Sequence, residues 1–292
     1  MPTDRKKPQF DLKPISVLLK PLAHSRQELM RRVLQHPRRH VLSSVRAVAK
    51  EVNADPATLL RTVQAMGFST YKDFQRYLHE LSVISATPLD LMTTASDGNP
   101  GIPGHVREGL DSAFENLESL RNSLDLAQVE QLAHRLYKAE RILIIGGDLA
   151  SSLVWFLQYN LRILGLTVIP GTSYGEIIHL TRGAEPRDLL IAISFRRGLR
   201  QTVEGLLQAR TKKAYCVGIT DTYLSSIATN TDQYFLASIE SPSFGGSYVA
   251  PMALLDMIVL ACAHYRPRRT LRMLKEADFE QRTGSRWYDH ER

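Results

Sequence analysis

Three short apolar runs beyond residue 140 restrict the fold of this chain more than any other feature. They lie at residues 141–145, 189–193 and 215–219, and none of them alternates apolar with polar side chains. Such runs are typical of strands that are buried on both faces of a parallel sheet. Each is followed by a stretch of helical periodicity, and weaker strands are predicted at residues 167–169 and 234–236. We therefore predict an α/β fold with an open, doubly wound parallel sheet.

The positive charge of the chain is concentrated in its first third, where the periodicity is helical throughout. The 292 residues carry a net charge of +7, whereas the first 85 alone hold 15 Lys and Arg against 7 Asp and Glu. A stretch rich in Pro, Gly and small polar residues follows, which is typical of a linker. The sequence thus predicts a basic all-α domain at residues 1–85, a linker at 86–105 and the α/β domain at 106–292.

Several classes of protein are excluded by the composition. No stretch approaches the ~18 uninterrupted apolar residues of a membrane span, and the N-terminus lacks the apolar segment of a secretory signal. The two cysteines, Cys216 and Cys262, lie in apolar runs, match no metal or redox spacing and are interpreted as core residues. We expect a cytoplasmic protein without a membrane anchor, a metal ion or a cofactor.

Two predicted helices of the basic domain are separated by a break of only a few residues. The second begins at Asp55 and Pro56, a capping residue followed by a proline that suits the first helical position, and it ends at Gly67. An earlier helix is predicted to open with a capping box, Ser-Arg-Gln-Glu, at residues 25–28. Two helices with so short a turn, the second with polar and basic residues at its exposed start, indicate a helix-turn-helix.

The second helix of such a motif enters the major groove of DNA, where its first residues reach base edges and phosphates. Arg61 is the best candidate for bidentate contact with guanine, and Thr58 for contact with a phosphate or a thymine methyl group. The predicted DNA-binding residues are Arg38, Arg39, Arg46, Thr58, Arg61 and Thr62. The alternative is an ordinary helical bundle with a charged surface, but the cap, the turn length and the local charge together favour DNA.

Glycines and basic residues follow two of the predicted strands. Ligands of open α/β sheets bind at the carboxyl ends of strands, and guanidiniums beside a helix N-terminus hold anions strongly. The glycine turn after the first strand matches neither a dinucleotide site nor a Walker loop. We predict an anion site made of Gly147, Ser151, Ser152, Ser194, Arg196, Arg197, Arg200, Thr202 and Ser247. Alternatively, the arginines pair with acidic residues or with a partner subunit.

Taken in order, these segments resemble the RpiR/MurR-type bacterial transcriptional regulators, in which a helix-turn-helix precedes a SIS (sugar isomerase) domain. The resemblance covers nearly the whole chain. In the first domain it rests on residues 55–61 and 65–74, and in the second on residues 144–147, 192–194 and 218–228. It implies a homodimer or homotetramer that binds double-stranded operator DNA and whose SIS domain senses a metabolite, often a phosphosugar.

One segment departs from the family pattern, in which the hydroxyls of a Ser-x-Ser-Gly-x-Thr-x-Glu run hold the phosphate. At residues 194–204 the second serine is replaced by Arg196 and the spacing from glycine to threonine is longer, while Asp148 stands in the first glycine turn. The predicted effector is therefore a small anion, either a phosphosugar or an organic acid.

The sequence thus predicts a regulator that has no catalytic residues and no metal ligands. It leaves two alternatives open. One is a SIS-fold sugar-phosphate isomerase, in which Glu176 or His179, spaced i, i+3, acts as general base. The same pair could form half of a metal site, although a surface hydrogen bond is the commoner explanation. The other is an interaction scaffold that binds no ligand.

Overall fold

The computed structural model describes residues 15–283 except 36, 42, 86–100 and 197. The chain divides into two compact units, Met1–Asn99 and Pro100–Arg292. The first unit is helical, and its helices are α1 (Ile15–Leu19), α2 (His24–Gln35), α3 (Pro37–His40), α4 (Val45–Glu51), α5 (Pro56–Ala65) and α6 (Tyr71–Ser85).

Helices α4 and α5 begin at the caps that the sequence indicates. The Ser44 hydroxyl accepts a hydrogen bond from the N–H of Ala47 at 3.2 Å. The Asp55 carboxylate accepts one from the N–H of Thr58 at 3.0 Å. Helix α5 ends before Gly67, whose φ of +95° is a left-handed conformation that favours glycine. Only four residues separate α4 from α5 and the two helices pack together, so the helix-turn-helix arrangement is present.

The predicted capping box at residues 25–28 is wrong. Helix α2 begins at His24, and the carbonyl of Ala23 accepts the first hydrogen bonds, from the N–H groups of Arg26 and Gln27. Ser25 therefore lies inside the first turn and is exposed, instead of standing at the capping position before the helix.

The core of the first unit joins four of its helices. Its fully buried side chains come from α2, α4, α5 and α6 and are Met30, Val33, Val48, Ala49, Leu59, Val63, Phe74 and Leu78. The ring of Phe68 lies 5.3 Å from that of Phe74 and 5.4 Å from that of Tyr77. Helices as short as these are marginal alone in water. Burial of this cluster is therefore what holds the outer face of α5 in place.

The second unit is a five-stranded parallel sheet with helices on both faces. Its strands are β1 (Ile142–Ile145), β2 (Val168–Gly171), β3 (Leu189–Ile193), β4 (Tyr215–Thr220) and β5 (Gln233–Leu236), in the spatial order β2-β1-β3-β4-β5. Its helices are α7 (Gly101–Ser123), α8 (Leu126–Lys138), α9 (Ala150–Ile163), α10 (Tyr174–Arg182), α11 (Arg200–Thr211), α12 (Val249–Tyr265) and α13 (Pro267–Thr283). The predicted α/β fold with a doubly wound parallel sheet is confirmed.

Successive residues of the central strands β1 and β3 belong to two separate cores, which explains why these two strands are apolar throughout. Ile142 and Ile144 pack with side chains of α8, α9 and α12, whereas Leu143 and Ile145 pack with those of α10 and α11. Because neither face of β1 or β3 is exposed to solvent, nothing requires their side chains to alternate between apolar and polar. The strand order also reverses between β1 and β3, which is where sheets of this type form a ligand crevice.

The structure differs from the sequence-based elements at three places. Helix α7 begins at Gly101, so the last residues of the predicted linker are helical; Pro103 is tolerated because the first turn of a helix needs no internal N–H donors. The rest of the predicted linker, residues 86–100, lies outside the described residues. At 225–229 the sequence predicts a helix, but the structure has only a 3-10 turn, Ala228–Asn230, and α13 was not predicted at all.

Both cysteines are core residues, as the sequence indicates. Cys216 and Cys262 are free and fully buried, and burial raises the pKa of each thiol to about 12.

Among the described residues, no single helix is long and apolar enough to span a membrane. The consecutive helices α12 and α13 are long and apolar enough for a membrane span only when they are taken together, and the chain bends by 101° where they join.

Candidate functional site

The outer face of α5 is exposed along its length. Arg61 and Gln64 are exposed there with two alanines, at spacings that place all four on one side of the helix. Thr58 is half-buried, and its hydroxyl lies 3.5 Å from the Asp55 carboxylate. A guanidinium and a carboxamide are the side chains that pair bidentately with guanine and adenine, respectively. Sequence reasoning missed Gln64, although its i, i+3 spacing from Arg61 would have identified it.

The prediction that Thr62 contacts DNA is wrong. Thr62 is fully buried, and its hydroxyl donates a hydrogen bond to the Thr58 carbonyl at 2.7 Å. Because α5 packs on both α4 and α6, it buries a wider arc than a single apolar stripe. A threonine can occupy such a position because it satisfies its own hydroxyl within the helix.

Cations lie on the neighbouring helices of the first unit. Arg46 and Lys50 are one turn apart on α4, and both are exposed. Arg38 and Arg39 belong to α3, but their side chains lie outside the described part of the structure. The helix that precedes α5 therefore carries two exposed cations of the kind that pair with phosphates.

In the second unit, the glycine turn after β1 meets the start of α11. A Cβ atom added to Gly147 would overlap with Leu199 Cδ2 and lie 2.6 Å from Gln201 Nε2. At Gly146 it would lie 3.0 Å from the Ile193 carbonyl oxygen. The two turns that follow β1 and β3 are thus in direct contact at the point where the strand order reverses, and only glycine fits between them without displacement.

Arg196 lies at this edge with its backbone in the left-handed conformation. Its φ is +57°, and its N–H donates a hydrogen bond to the Asp221 carboxylate at 2.9 Å. This conformation costs a non-glycine residue about 1–2 kcal/mol, so it persists only where surrounding contacts impose it. Asp221 was missed by sequence reasoning, although it is the first residue after β4 and the rule that singled out other strand ends would have found it.

The structure buries two of the hydroxyl groups that were predicted to hold the anion. Ser194 and Thr202 are 5% and 0% exposed. The Ser194 hydroxyl accepts a hydrogen bond from the N–H of Leu199 at 2.8 Å, so it holds the loop before α11 together. These two side chains are not presented to a ligand at the surface, because the start of α11 packs closely on the sheet.

The remaining predicted residues are distributed along the same edge. Gly147 is buried, and Ser151 and Ser247 are half-buried. The Ser152 hydroxyl donates to the Leu149 carbonyl at 2.7 Å.

The third arginine is not turned towards this edge. Arg200 is 88% exposed, and its guanidinium forms a 3.0 Å ion pair with Glu204, one turn further along α11. Arg197 lies outside the described residues. Of the three predicted arginines, Arg196 is therefore the one that the described structure places at the switch point of the sheet.

The Glu176 carboxylate forms hydrogen bonds within the chain that were not predicted from the sequence. Its carboxylate accepts hydrogen bonds from the N–H groups of Thr172 and Ser173 at 2.9 and 3.0 Å and from the Thr172 hydroxyl at 3.1 Å. Together with the Ser173 hydroxyl it forms the capping box of α10. These donors, the backbone N–H of Thr172 first, lower the pKa of Glu176 from 4.5 to about 2. A signal was available in the run Ser173 to Glu176, which has the Ser-x-x-Glu form.

Replacing Glu176 by glutamine should destabilise the second unit near neutral pH and have no effect in strong acid. A lowered folded-state pKa stabilises the fold above the unfolded value of 4.5, and this contribution is lost as the pH falls towards about 2. Since the side chain is exposed, the effect should stay below about 1 kcal/mol. Urea midpoints of both proteins across this pH range test it. Glu130→Gln, exposed on α8, is the control, and an equal deficit at all pH values would contradict the assignment.

No group of three or more His, Cys, Asp or Glu side chains within the described part of the chain is arranged to hold a metal ion. His179 is exposed in the last turn of α10, one turn from Glu176.

Comparison with known proteins agrees with the two-unit arrangement. Residues 135–261 match the family model of the SIS domain. The chain is 22% identical to the HTH-type transcriptional regulator HexR of Escherichia coli over 286 residues, which cover 93% of this chain and 95% of HexR. It is 21% identical to an uncharacterized HTH-type regulator of Clostridium perfringens, covering 62% of this chain but only 64% of that protein.

Two solved structures share the fold. The sugar isomerase domain of an RpiR transcription factor from Sphaerobacter thermophilus aligns with a TM-score of 0.57 at 24% identity, covering 59% of this chain and 96% of that domain. The Vibrio vulnificus NanR protein, solved in complex with ManNAc-6P, aligns with a TM-score of 0.59 at 19% identity over 93% of this chain and 99% of NanR. The chain thus carries a SIS domain at residues 135–261 and is similar along most of its length to HTH-type transcriptional regulators.

Proposed function

We propose that this protein is a DNA-binding transcriptional regulator whose affinity for operator DNA changes when a small anionic metabolite binds at the carboxyl edge of the SIS sheet. The observation that carries the proposal is the exposed Arg61 on a capped second helix, in a chain whose other unit is a SIS domain. We further propose that it acts as a homodimer or homotetramer, in the cytoplasm where DNA is accessible, and that it is not an enzyme.

Electrostatics and geometry of the first unit support DNA as the partner. The excess of basic over acidic residues lies in the first 85 residues, and the helix that precedes α5 carries the exposed cations Arg46 and Lys50. The N-terminal part of a recognition helix reads base edges, while cations on the preceding helix neutralise phosphates.

The chemistry at the switch point supports an anionic effector. NanR, which shares this fold, was solved with a phosphorylated sugar. In this chain a guanidinium, that of Arg196, stands where the family pattern has a hydroxyl. Arginine pairs bidentately with both phosphate and carboxylate groups, so both phosphosugars and organic acids fit the proposal.

The environment of Glu176 argues against a sugar-phosphate isomerase that uses this carboxylate. A general base works best with a pKa near the working pH, whereas Glu176 has a pKa of about 2 and accepts three hydrogen bonds within its own capping box. Its removal would weaken a helix cap rather than a proton-transfer step.

Two measurements on the full chain test the proposed function. DNA selected from random duplexes should be bound as a palindrome, with an affinity that falls at least about 100-fold between roughly 50 and 200 mM salt if four or more phosphates are neutralised. A thermal-shift screen of sugar phosphates and small organic acids should yield a stabilising ligand that also changes operator affinity. Turnover of a hexose or pentose phosphate, or absence of DNA binding at low salt, would contradict the proposal.

A further inference from the structure

We propose that the N-terminal half of α7 is a self-association surface, on which the same segment of a second copy packs in antiparallel orientation. Four large apolar side chains lie along it at i, i+4 spacing. Ile102, Val106, Leu110 and Phe114 are 81%, 58%, 58% and 70% exposed. A contiguous apolar row of this kind on a folded unit marks an interaction surface. We call these four residues the α7 stripe.

The α7 stripe is presented by a helix that is firmly anchored elsewhere. Further along α7, Asn116 and Leu120 are buried, and the Asn116 amide donates to the Glu240 carbonyl at 2.8 Å. Ser112 donates to the same carbonyl at 3.1 Å. The Ser238 hydroxyl donates to the Asn116 side-chain oxygen at 2.6 Å. The side of the helix next to the stripe is thus bonded to the segment that follows β5, and the stripe itself is exposed on a rigid support.

The charges beside the stripe favour a second copy of the same helix in antiparallel orientation. Arg107 and Asp111 lie one turn apart along one edge of the stripe; both are exposed, and neither has an ion pair with the described residues. A twofold axis at Leu110 would keep this edge of both helices on the same side and place Arg107 about 3 Å along the helix axis from Asp111 of the partner subunit, twice by symmetry. In a parallel pair this edge of one helix would instead lie beside the other edge of its partner, so Arg107 and Asp111 would not meet.

The same axis also matches the apolar residues. Val106 and Phe114 are equally distant from Leu110, so each Val106 would pack against Phe114 of the partner subunit. The stripe spans about 18 Å of helix at 1.5 Å per residue, enough for the apolar centre of an interface of standard size, about 800 Å² per partner. The proposal does not depend on DNA or effector binding, and its failure would leave the proposed function unchanged.

Cysteine cross-linking in the full chain tests both the surface and the orientation. Leu110→Cys should form a disulfide-linked dimer under mild oxidation, because the two copies of residue 110 meet at the axis. Ile102→Cys should not, because two copies of residue 102 would be about 24 Å apart in the antiparallel pair. The native thiols of Cys216 and Cys262 are fully buried and do not interfere. Lys212→Cys, exposed on another part of the unit, measures random collisions.

Each other result overturns a stated part of the proposal. Cross-linking of both variants would establish a parallel pair and refute the antiparallel one. No cross-link at residue 110, with that thiol protected from a maleimide reagent, would show that another part of the same chain covers the stripe. No cross-link with a freely reactive thiol would show that nothing covers it.

A charge exchange provides a second readout that does not use cysteines. Arg107→Asp and Asp111→Arg should each weaken dimerisation about tenfold in sedimentation equilibrium, and the double exchange should restore it. Failure of the double variant to restore dimerisation would reject the pairing of these two charges.

Discussion

Replacing Arg61 by alanine is expected to weaken operator binding by about 5- to 150-fold for each recognition helix engaged, which corresponds to roughly 1–3 kcal/mol for a bidentate base contact. In a symmetric dimer the two losses multiply, so this should be the largest single effect in the first unit. The side chain is exposed on the face of α5 that is free of the core, so its truncation should leave the fold intact. Fluorescence anisotropy titrations on operator DNA and on operators altered at single base pairs measure the effect.

Arg46→Ala provides the matched control, because Arg46 is also an exposed arginine and lies on the preceding helix. It should weaken binding to all DNA sequences alike and reduce the salt dependence by about one phosphate contact. If Arg61→Ala has the same effect, Arg61 contacts a phosphate and another residue contacts the bases. Gln64, which is exposed on the same face of α5, would be the first residue to test.

Replacing Arg196 by glycine is expected to lower effector affinity by about 10- to 150-fold without loss of stability. A charge-assisted hydrogen bond contributes roughly 1.5–3 kcal/mol, and it is lost with the guanidinium. Glycine adopts the φ of +57° without strain, a gain of about 1–2 kcal/mol that offsets its greater freedom in the unfolded chain. Isothermal titration with inorganic phosphate, a hexose 6-phosphate and a tricarboxylate, together with thermal unfolding, measures both quantities.

Arg200→Ala is the control for this experiment, because Arg200 is already paired with Glu204 and almost fully exposed. It should leave effector affinity within about twofold of the wild type. Equal losses from the two variants would indicate a diffuse electrostatic attraction instead of a bound anion at Arg196. Unchanged affinity in Arg196→Gly would remove this residue from the effector site.

The parts of the fold that follow from local patterns were predictable. β1 and β3 are buried on both faces, and their unbroken apolar runs are enough to indicate a parallel sheet. The cap at Asp55 and the stop at Gly67 bounded α5 correctly, because capping depends on hydrogen bonds within a few residues. The glycines after β1 likewise marked a strand end where the chain passes close to another turn.

The residues that were misjudged are those whose environment is set by distant parts of the chain. Thr62 is a polar residue of a type that is common at exposed positions. It is nevertheless fully buried, because α5 packs on both α4 and α6. Arg200 follows the arginines of the β3 turn in sequence, yet its guanidinium pairs one helical turn away with Glu204. Glu176 lies three residues before His179 in the sequence, but in the structure its carboxylate accepts hydrogen bonds from backbone N–H groups.

For this protein the sequence alone determined the succession of the five strands along the chain, the separation of a basic helical unit from a nearly neutral α/β unit, and the helix-turn-helix. These depend on periodicity, capping and charge, which act between near neighbours. The tertiary structure decided which side chains meet at the switch point of the sheet, that Leu199 and Gln201 cover Gly147, and that the α7 stripe lies exposed. Packing between elements far apart in the chain settles those questions, because it chooses which polar groups are buried and which apolar ones are left for a partner.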